Sequence, residues 1–254
     1  MCIVMLNKVM IGRYYPIDSL VHKMNPLAKI ICVLLFIIMS FLTFDIRFNI
    51  LLLVLLVLML CNTKVPFKIY FKTIFSIKWL LLFILIINLI VGSNLEVTII
   101  TMFRLIFVVL YTSILTLTTP PTEITYGLEK LFFPLKLIGI PVNKMALSIS
   151  LALRFIPTII DQGNKIIKSQ ASRGIDYYNS NLNGKILAIK SLIIPMFVLS
   201  IKKADDLADS MEVRLYNVNN KRINFRQNRW NFYDTFLVLM HLGLFILIMK
   251  EVVL

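Results

Sequence analysis

Long apolar runs, separated by connections whose basic residues fall almost entirely on alternate sides, constrain this chain more than any other feature. A spanning helix needs about 20 mostly apolar residues. Residues 27–44, 48–62, 79–91 (with a start as early as Ile74), 97–118 and 233–249 read as five such segments. The composition agrees: 59% of the 254 residues are hydrophobic and only 16% are charged, against roughly 25% charged in an ordinary soluble domain. A soluble enzyme of this size needs more polar surface than that, and a disordered chain needs fewer apolar residues. Cys2, Cys32 and Cys61 form no CxxC or Cys/His cluster and read as small buried hydrophobes.

The net charge of +14 would fit a nucleic-acid-binding protein, but its distribution argues otherwise. Lys8, Arg13, Lys23 and Lys29 lie at or before the start of the first run, Lys64, Lys68, Lys72 and Lys78 lie between the second and third, and sixteen more fall between Lys130 and Arg229. The intervening connections hold only Arg47, and the C-terminus only Lys250. Cytoplasmic connections of membrane proteins carry the excess of Lys and Arg. The asymmetry therefore predicts a cytoplasmic N-terminus, an extracellular C-terminus, a lipid environment and no nucleic-acid partner. Residues 1–10 begin apolar and lack a small-residue cleavage site, so no signal peptide is expected there.

The expected organisation is an all-α polytopic membrane protein: four spans in 1–118, a helical cytoplasmic segment in 119–229, and a last span in 230–254. The middle segment opens with Thr119-Pro120-Pro121, a sound helix start, and Gly139-Ile140-Pro141 stops that first helix. Two runs of about 30 residues follow, each roughly 45 Å long if helical throughout. Both have an apolar first half, a proline expected to kink or break the helix (Pro157, Pro195), and a polar second half. Their apolar bases are expected to pack together. Each run ends on an arginine, Arg173 and Arg214, forty-one positions apart. Gly174 is the expected C-cap of the first and Asn217 of the second. One basic residue at a helix C-terminus needs no partner, because the macrodipole favours it there; two in the same context suggest a docking device.

The stretch from Thr122-Glu-Ile-Thr-Tyr-Gly-Leu-Glu-Lys-Leu through Leu153-Arg154-Phe155-Ile156-Pro157 to Gln170-Ala171-Ser172-Arg173-Gly174 resembles the transmembrane T component of energy-coupling factor (ECF) transporters, whose relatives include the CbiQ proteins. The opening Gly12-Arg-Tyr-Tyr-Pro16-Ile-Asp-Ser19-Leu-Val-His22-Lys-Met-Asn-Pro26-Leu-Ala-Lys29 is similar to that family's start. The resemblance implies that Ser172-Arg173-Gly174 and Val213-Arg214-Leu215 are the two X-Arg-X motifs that end the coupling helices and dock on two ABC-type ATPase subunits. It further implies a small substrate-binding membrane subunit (the S component) as a second partner, carrying a vitamin or a transition-metal ion, and a multi-pass protein of the bacterial cell membrane. The chain itself would be no enzyme and hold no cofactor, with ATP hydrolysis on partner chains; it has no GxxxxGK[ST] motif. Small residues usually flank the second arginine in that family, so Val213 and Leu215 are a departure.

Arg104 lies inside the fourth apolar run without an obvious ion-pair partner, and an intramembrane charge is a functional-site hypothesis by default. Asp205, Asp209 and Glu212 share one helix face and read as solvated or as a partner contact rather than a metal site. His241 is expected to make an interhelical hydrogen bond. A secondary transporter or channel is the alternative, but it predicts inverted repeats and paired intramembrane charges, which are not seen. An intramembrane enzyme would need a motif such as HExxH, which is absent.

Overall fold

The computed structural model describes residues 14–43, 45–92, 95–139, 141–175, 181–217 and 230–253. Lys8, Arg13, Lys221, Arg222, Arg226 and Arg229, counted above for topology, lie outside them. The described elements are helical, in the order α1 (Leu20–Lys23), α2 (Pro26–Leu42), α3 (Ile46–Thr63), α4 (Phe67–Ser76), α5 (Lys78–Val91), α6 (Leu95–Thr118), α7 (Pro121–Leu131), a 3-10 turn (Phe133–Ile138), α8 (Val142–Ala171), α9 (Leu182–Val213) and α10 (Phe232–Val253). By length and composition α3, α6, α8, α9 and α10 are each able to cross a membrane, and α4 and α5 form a further broken pair bent by 47°. The chain is thus an all-α polytopic membrane protein. The expected first span, 27–44, is the 17-residue α2, shorter than those five. α8 and α9 join the set because their apolar first halves outweigh their polar ends.

The described residues divide into two compact units, one of residues 14–142 with 230–253 and one of residues 143–217. In the first unit α2 lies against α6, α7 and α10, while α3 and α5 lie against α6. Phe36, Met39, Leu52, Leu55, Leu56, Met59, Tyr111, Ile114, Leu237 and Ile248 form its core. The Phe36 and Tyr111 rings stack at 4.1 Å. His241 bonds the Leu237 carbonyl through Nδ1 at 2.8 Å; a carbonyl only accepts, so Nδ1 carries the proton. Nε2 therefore accepts from the Tyr111 hydroxyl at 2.7 Å, the expected interhelical bond. Cys32 is buried, but Cys61 is exposed on the outer face of α3.

The segment 119–142, grouped in sequence with the coupling helices, belongs to this first unit, because α7 packs on α2. Pro121 occupies the first turn of α7, where its missing N–H costs nothing. Gly127 permits the close approach: a Cβ there would stand 2.7 Å from Ile30 Cδ1, 3.1 Å from the Pro26 carbonyl carbon and 3.2 Å from the Leu27 nitrogen. The isoleucine tip can swing away, but the two backbone atoms cannot. Gly127→Ala should therefore cost about 1–3 kcal/mol, read as a lower melting temperature in detergent; an unchanged value would show that α7 is not tightly seated.

In the second unit α8 and α9 run through Pro157 and Pro195 without a break. They touch at Gly163, where an added Cβ would lie 3.6 Å from Met196 Sδ. They share no long side-by-side seam among the described residues, so the expected packing of their apolar bases is not observed. Met145, Ile149, Ile186, Ile189, Ile193 and Phe197 are exposed instead.

Candidate functional site

The ends of α8 and α9 are built alike. At the end of α8, Gly174 N–H donates to the Ala171 carbonyl at 3.0 Å and Ile175 N–H to the Gln170 carbonyl at 3.2 Å. At the end of α9, Leu215 N–H donates to the Glu212 carbonyl at 2.8 Å and Tyr216 N–H to the Met211 carbonyl at 2.9 Å. These are the two paired bonds of a Schellman motif, formed at the same offsets in both helices. Each arginine is the C-cap, and the next residue turns left-handed: Gly174 with φ 86°, Leu215 with φ 56°. Gly174 thus terminates α8 as expected, although one position beyond the cap, which is Arg173. Leu215, and not Asn217, terminates α9.

A left-handed conformation costs a non-glycine residue about 1–2 kcal/mol, and the two backbone bonds hold Leu215 in it. Leu215→Gly should therefore firm the end of α9 by about 1 kcal/mol. The readout is hydrogen exchange at the Leu215 and Tyr216 amides, slowed about fivefold; exchange as fast as in the unaltered chain would show that the turn is not strained.

Closing the backbone in this way leaves both guanidinium groups free of capping duties and directs them to the surroundings. Ser172, Arg173, Gly174, Val213, Arg214 and Leu215 are all exposed, with Val213 at 84% and Leu215 at 91%. Ser172 Oγ also donates to the Ser169 carbonyl at 2.7 Å, a bond Val213 has no hydroxyl to repeat. From the Gly163–Met196 contact, Arg173 lies ten residues onward, about 15 Å along a helix, and Arg214 eighteen residues onward, about 27 Å. The two ends carry different surroundings. Lys165 and Lys168 precede Arg173, whereas Asp205, Asp206, Asp209 and Glu212 precede Arg214, and all of these are exposed. Among the described residues no three His, Cys, Asp or Glu side chains converge so as to hold a metal ion.

Arg104 is 8% exposed. It donates through Nη2 to the carbonyl of Thr43, the residue that caps the C-terminus of α2, and its guanidinium carbon lies 5.7 Å over the Phe41 ring. A cation there answers the partial negative charge of the helix end. These contacts give Arg104 a structural role. Arg104→Met should cost about 1–3 kcal/mol by orphaning a buried carbonyl, read from thermal unfolding; a neutral result would return Arg104 to the functional candidates.

Sequence reasoning missed the polar corner that joins α1, α2, α6 and α10. Lys29, read as a topology charge, is 4% exposed. Its Nζ donates to Thr119 Oγ1 at 3.0 Å, to the Thr118 carbonyl at 3.3 Å and to the His22 carbonyl at 3.4 Å. Asp234 is fully buried; its Oδ1 accepts from Asn25 N–H at 3.2 Å and its Oδ2 from Asn231 N–H at 2.9 Å. Ser19 and Asn25 cap α1 and α2 with their side chains, so the Ser19…Asn25-Pro26…Lys29 pattern is a set of corner pieces. His22 completes it, with Nε2 on the Tyr15 carbonyl at 2.9 Å and Nδ1 on Ser19 Oγ at 2.6 Å. Burial pushes its pKa below the usual value; the nearby Lys29 charge acts the same way, against the Tyr15 carbonyl and Asp18. The signal that could have found this corner is an Asn-Pro cap followed by a lysine inside an apolar stripe.

Comparison with known proteins agrees with this architecture. Residues 18–223 match the family described as cobalt transport protein, CbiQ. The chain is 36% identical to the energy-coupling factor transporter transmembrane protein EcfT of Listeria innocua, over 92% of this chain and 95% of that protein. The proteins of the same description from Lactococcus lactis subsp. cremoris and Bacillus subtilis are 32% and 33% identical, over 92% and 91% of this chain and 94% and 93% of their own lengths.

Proposed function

The chain belongs to the EcfT/CbiQ family of transmembrane components of energy-coupling factor transporters, and from that premise we propose that it is the coupling subunit of an ATP-driven importer. The observation that carries this reading is the matched pair of helix ends, in which Schellman bonds satisfy the backbone and leave Arg173 and Arg214 exposed. An arginine presents a planar fork of donors suited to carboxylate or carbonyl acceptors. Two of them, on rigid helices that touch at Gly163 and Met196, form a pair of lever arms.

In this mechanism two ABC-type ATPase subunits each take one arginine. Their closure on ATP and opening after hydrolysis move the two helix ends. The exposed apolar flanks of α8 and α9, Ile149, Ile189, Ile193 and Phe197 among them, then bear on a small substrate-binding membrane subunit that carries a vitamin or a transition-metal ion. ATP is bound and hydrolysed on the partner chains, and this chain holds no cofactor. With Lys64 exposed between α3 and α4 and Lys68 and Lys72 exposed on α4, the positive-inside rule favours a cytoplasmic N-terminus, cytoplasmic ends of α8 and α9 and an external C-terminus.

The test is purification of the tagged full chain from its own membranes in several mild detergents. The expected result is a complex with ATP-binding subunits and a small membrane protein. A chain that emerges alone in every detergent, and that moves substrate in vesicles without ATP, would replace this reading with a secondary transporter.

A further inference from the structure

The helix α4 has three distinct faces. At about 100° per residue, Phe67, Phe71 and Phe75 share one arc, Lys68 and Lys72 lie on the next, and Tyr70 with Ile74 lies on the third. Only the third meets protein: Tyr70 is buried, and its hydroxyl shares a 3.0 Å hydrogen bond with Thr63 Oγ1 at the end of α3. Phe67, Phe71 and Phe75 are 67%, 72% and 60% exposed, and Trp79, one turn further on, is 71% exposed. Lys64, Lys68, Lys72 and Lys78 are all exposed. No Asp or Glu occurs anywhere between Asp45 and Glu96, so nothing local neutralises these lysines.

The geometry gives this surface a depth. α5, with 14 residues, is about 21 Å long, shorter than the roughly 30 Å hydrocarbon core of a bilayer. α5 has no buried residue and stands at the edge of the bundle. α4 departs from it by 47°. With α5 along the bilayer normal, the ten residues of α4 supply about 10 Å more depth along that normal. The pair then just completes the crossing, with α4 emerging obliquely through the interface. Phe71, Phe75 and Trp79 lie on the acyl side, where Trp and Phe are favoured, Lys64 and Lys68 lie at the headgroup level, and Lys72, about 4 Å deeper, reaches that level with its extended side chain. Lys78, deeper, places its Nζ 4.1 Å from the Phe75 ring centroid and 5.6 Å from that of Trp79, a cation–π arrangement suited to a drier site.

We propose that α4 is an interfacial helix that, together with Lys64 at the end of α3, binds the headgroups of anionic phospholipids through Lys68 and Lys72. The four-residue repeat of aromatic and basic positions matches a phosphate layer above an acyl layer. This uncompensated positive surface attracts negative lipid over neutral lipid, about fivefold for each lysine close to the surface.

Trp79 reports on its own lipid neighbours. The full-length chain carrying Trp230→Phe, with whatever subunits accompany it, is reconstituted in phosphatidylcholine vesicles containing one-fifth brominated phosphatidylglycerol or one-fifth brominated phosphatidylcholine. The expected result is stronger quenching by the brominated phosphatidylglycerol, corresponding to about a tenfold preference or more at low salt. That preference should fall to about onefold in Lys64→Gln/Lys68→Gln/Lys72→Gln and be retained in the matching arginine variant, which keeps the charge. Equal quenching by the two lipids, a preference that survives the glutamine substitutions, or a Trp79 that neither lipid quenches would each overturn the proposal.

Discussion

On the proposed coupling role, replacing Arg173 and Arg214 together by alanine should lower the affinity of the solubilised chain for the ATPase pair by about 10³. Buried arginine anchors at interfaces cost about 2 kcal/mol or more each on truncation, and two such losses amount to about three decades. The fold should be untouched, because both side chains are exposed and the bonds that end the helices are made by the backbone. A melting temperature within about 1 °C of the parent chain is therefore part of the expected result. Single variants should lose less than half of the total effect in decades, since the remaining end keeps the partner close and acts as an intramolecular tether. Arg→Lys at either end should fall between, keeping charge but not the fork. The measurement is a titration of the purified ATPase pair onto the detergent-solubilised chain. Binding of the double variant within about threefold of the parent would end the docking argument, and so would a loss of binding that tracks a loss of thermal stability.

Asp234→Ala should be the most damaging single substitution in the membrane-spanning unit, at about 3–5 kcal/mol. The carboxylate is fully buried and accepts from two backbone N–H groups, one on Asn25 at the head of α2 and one on Asn231 at the head of α10. Alanine orphans both. It also removes a negative charge near enough to act on the buried Lys29, whose ammonium keeps Glu123 as its other charged neighbour. Asn at this position keeps the shape and one acceptor, so Asp234→Asn should cost about 1–3 kcal/mol. Thermal unfolding in a fixed detergent reads the difference, with a fall on the order of 10 °C for the alanine variant. Equal melting temperatures for the alanine variant and the parent would show that α10 is not held to the α1–α2 corner by this group.

Much of the local structure was legible because its causes are local. Apolar runs of the right length became α3, α6 and α10; Pro121 opened α7; Gly174 closed α8 with φ 86°. Leu215 was not legible, since a leucine carries no preference for φ 56° and is held there by two hydrogen bonds that exist only once the helix is formed. Pro157 and Pro195 each remove one backbone bond, yet both helices continue through them; neighbouring turns supply enough cooperativity to bridge the gap. Lys29 was misjudged for a physical reason. Counting charges along a chain assumes that each one reaches water or lipid headgroups, whereas Lys29 ends on a carbonyl at a helix terminus.

That this is a helical membrane protein, with two helices ending on arginine, follows from the amino-acid order alone. Burial of apolar runs and the bias of basic connections are properties of short segments, readable one at a time. It takes the folded bundle to show that Asn25 and Asp234, 209 positions apart, share a hydrogen bond, that Gly127 lets α7 seat on α2, and that α8 and α9 touch at Gly163 rather than along a shared seam. Those outcomes depend on which helix faces meet. That is set by the fit of side chains across the whole bundle and by the need to satisfy every polar group that the bilayer will not solvate.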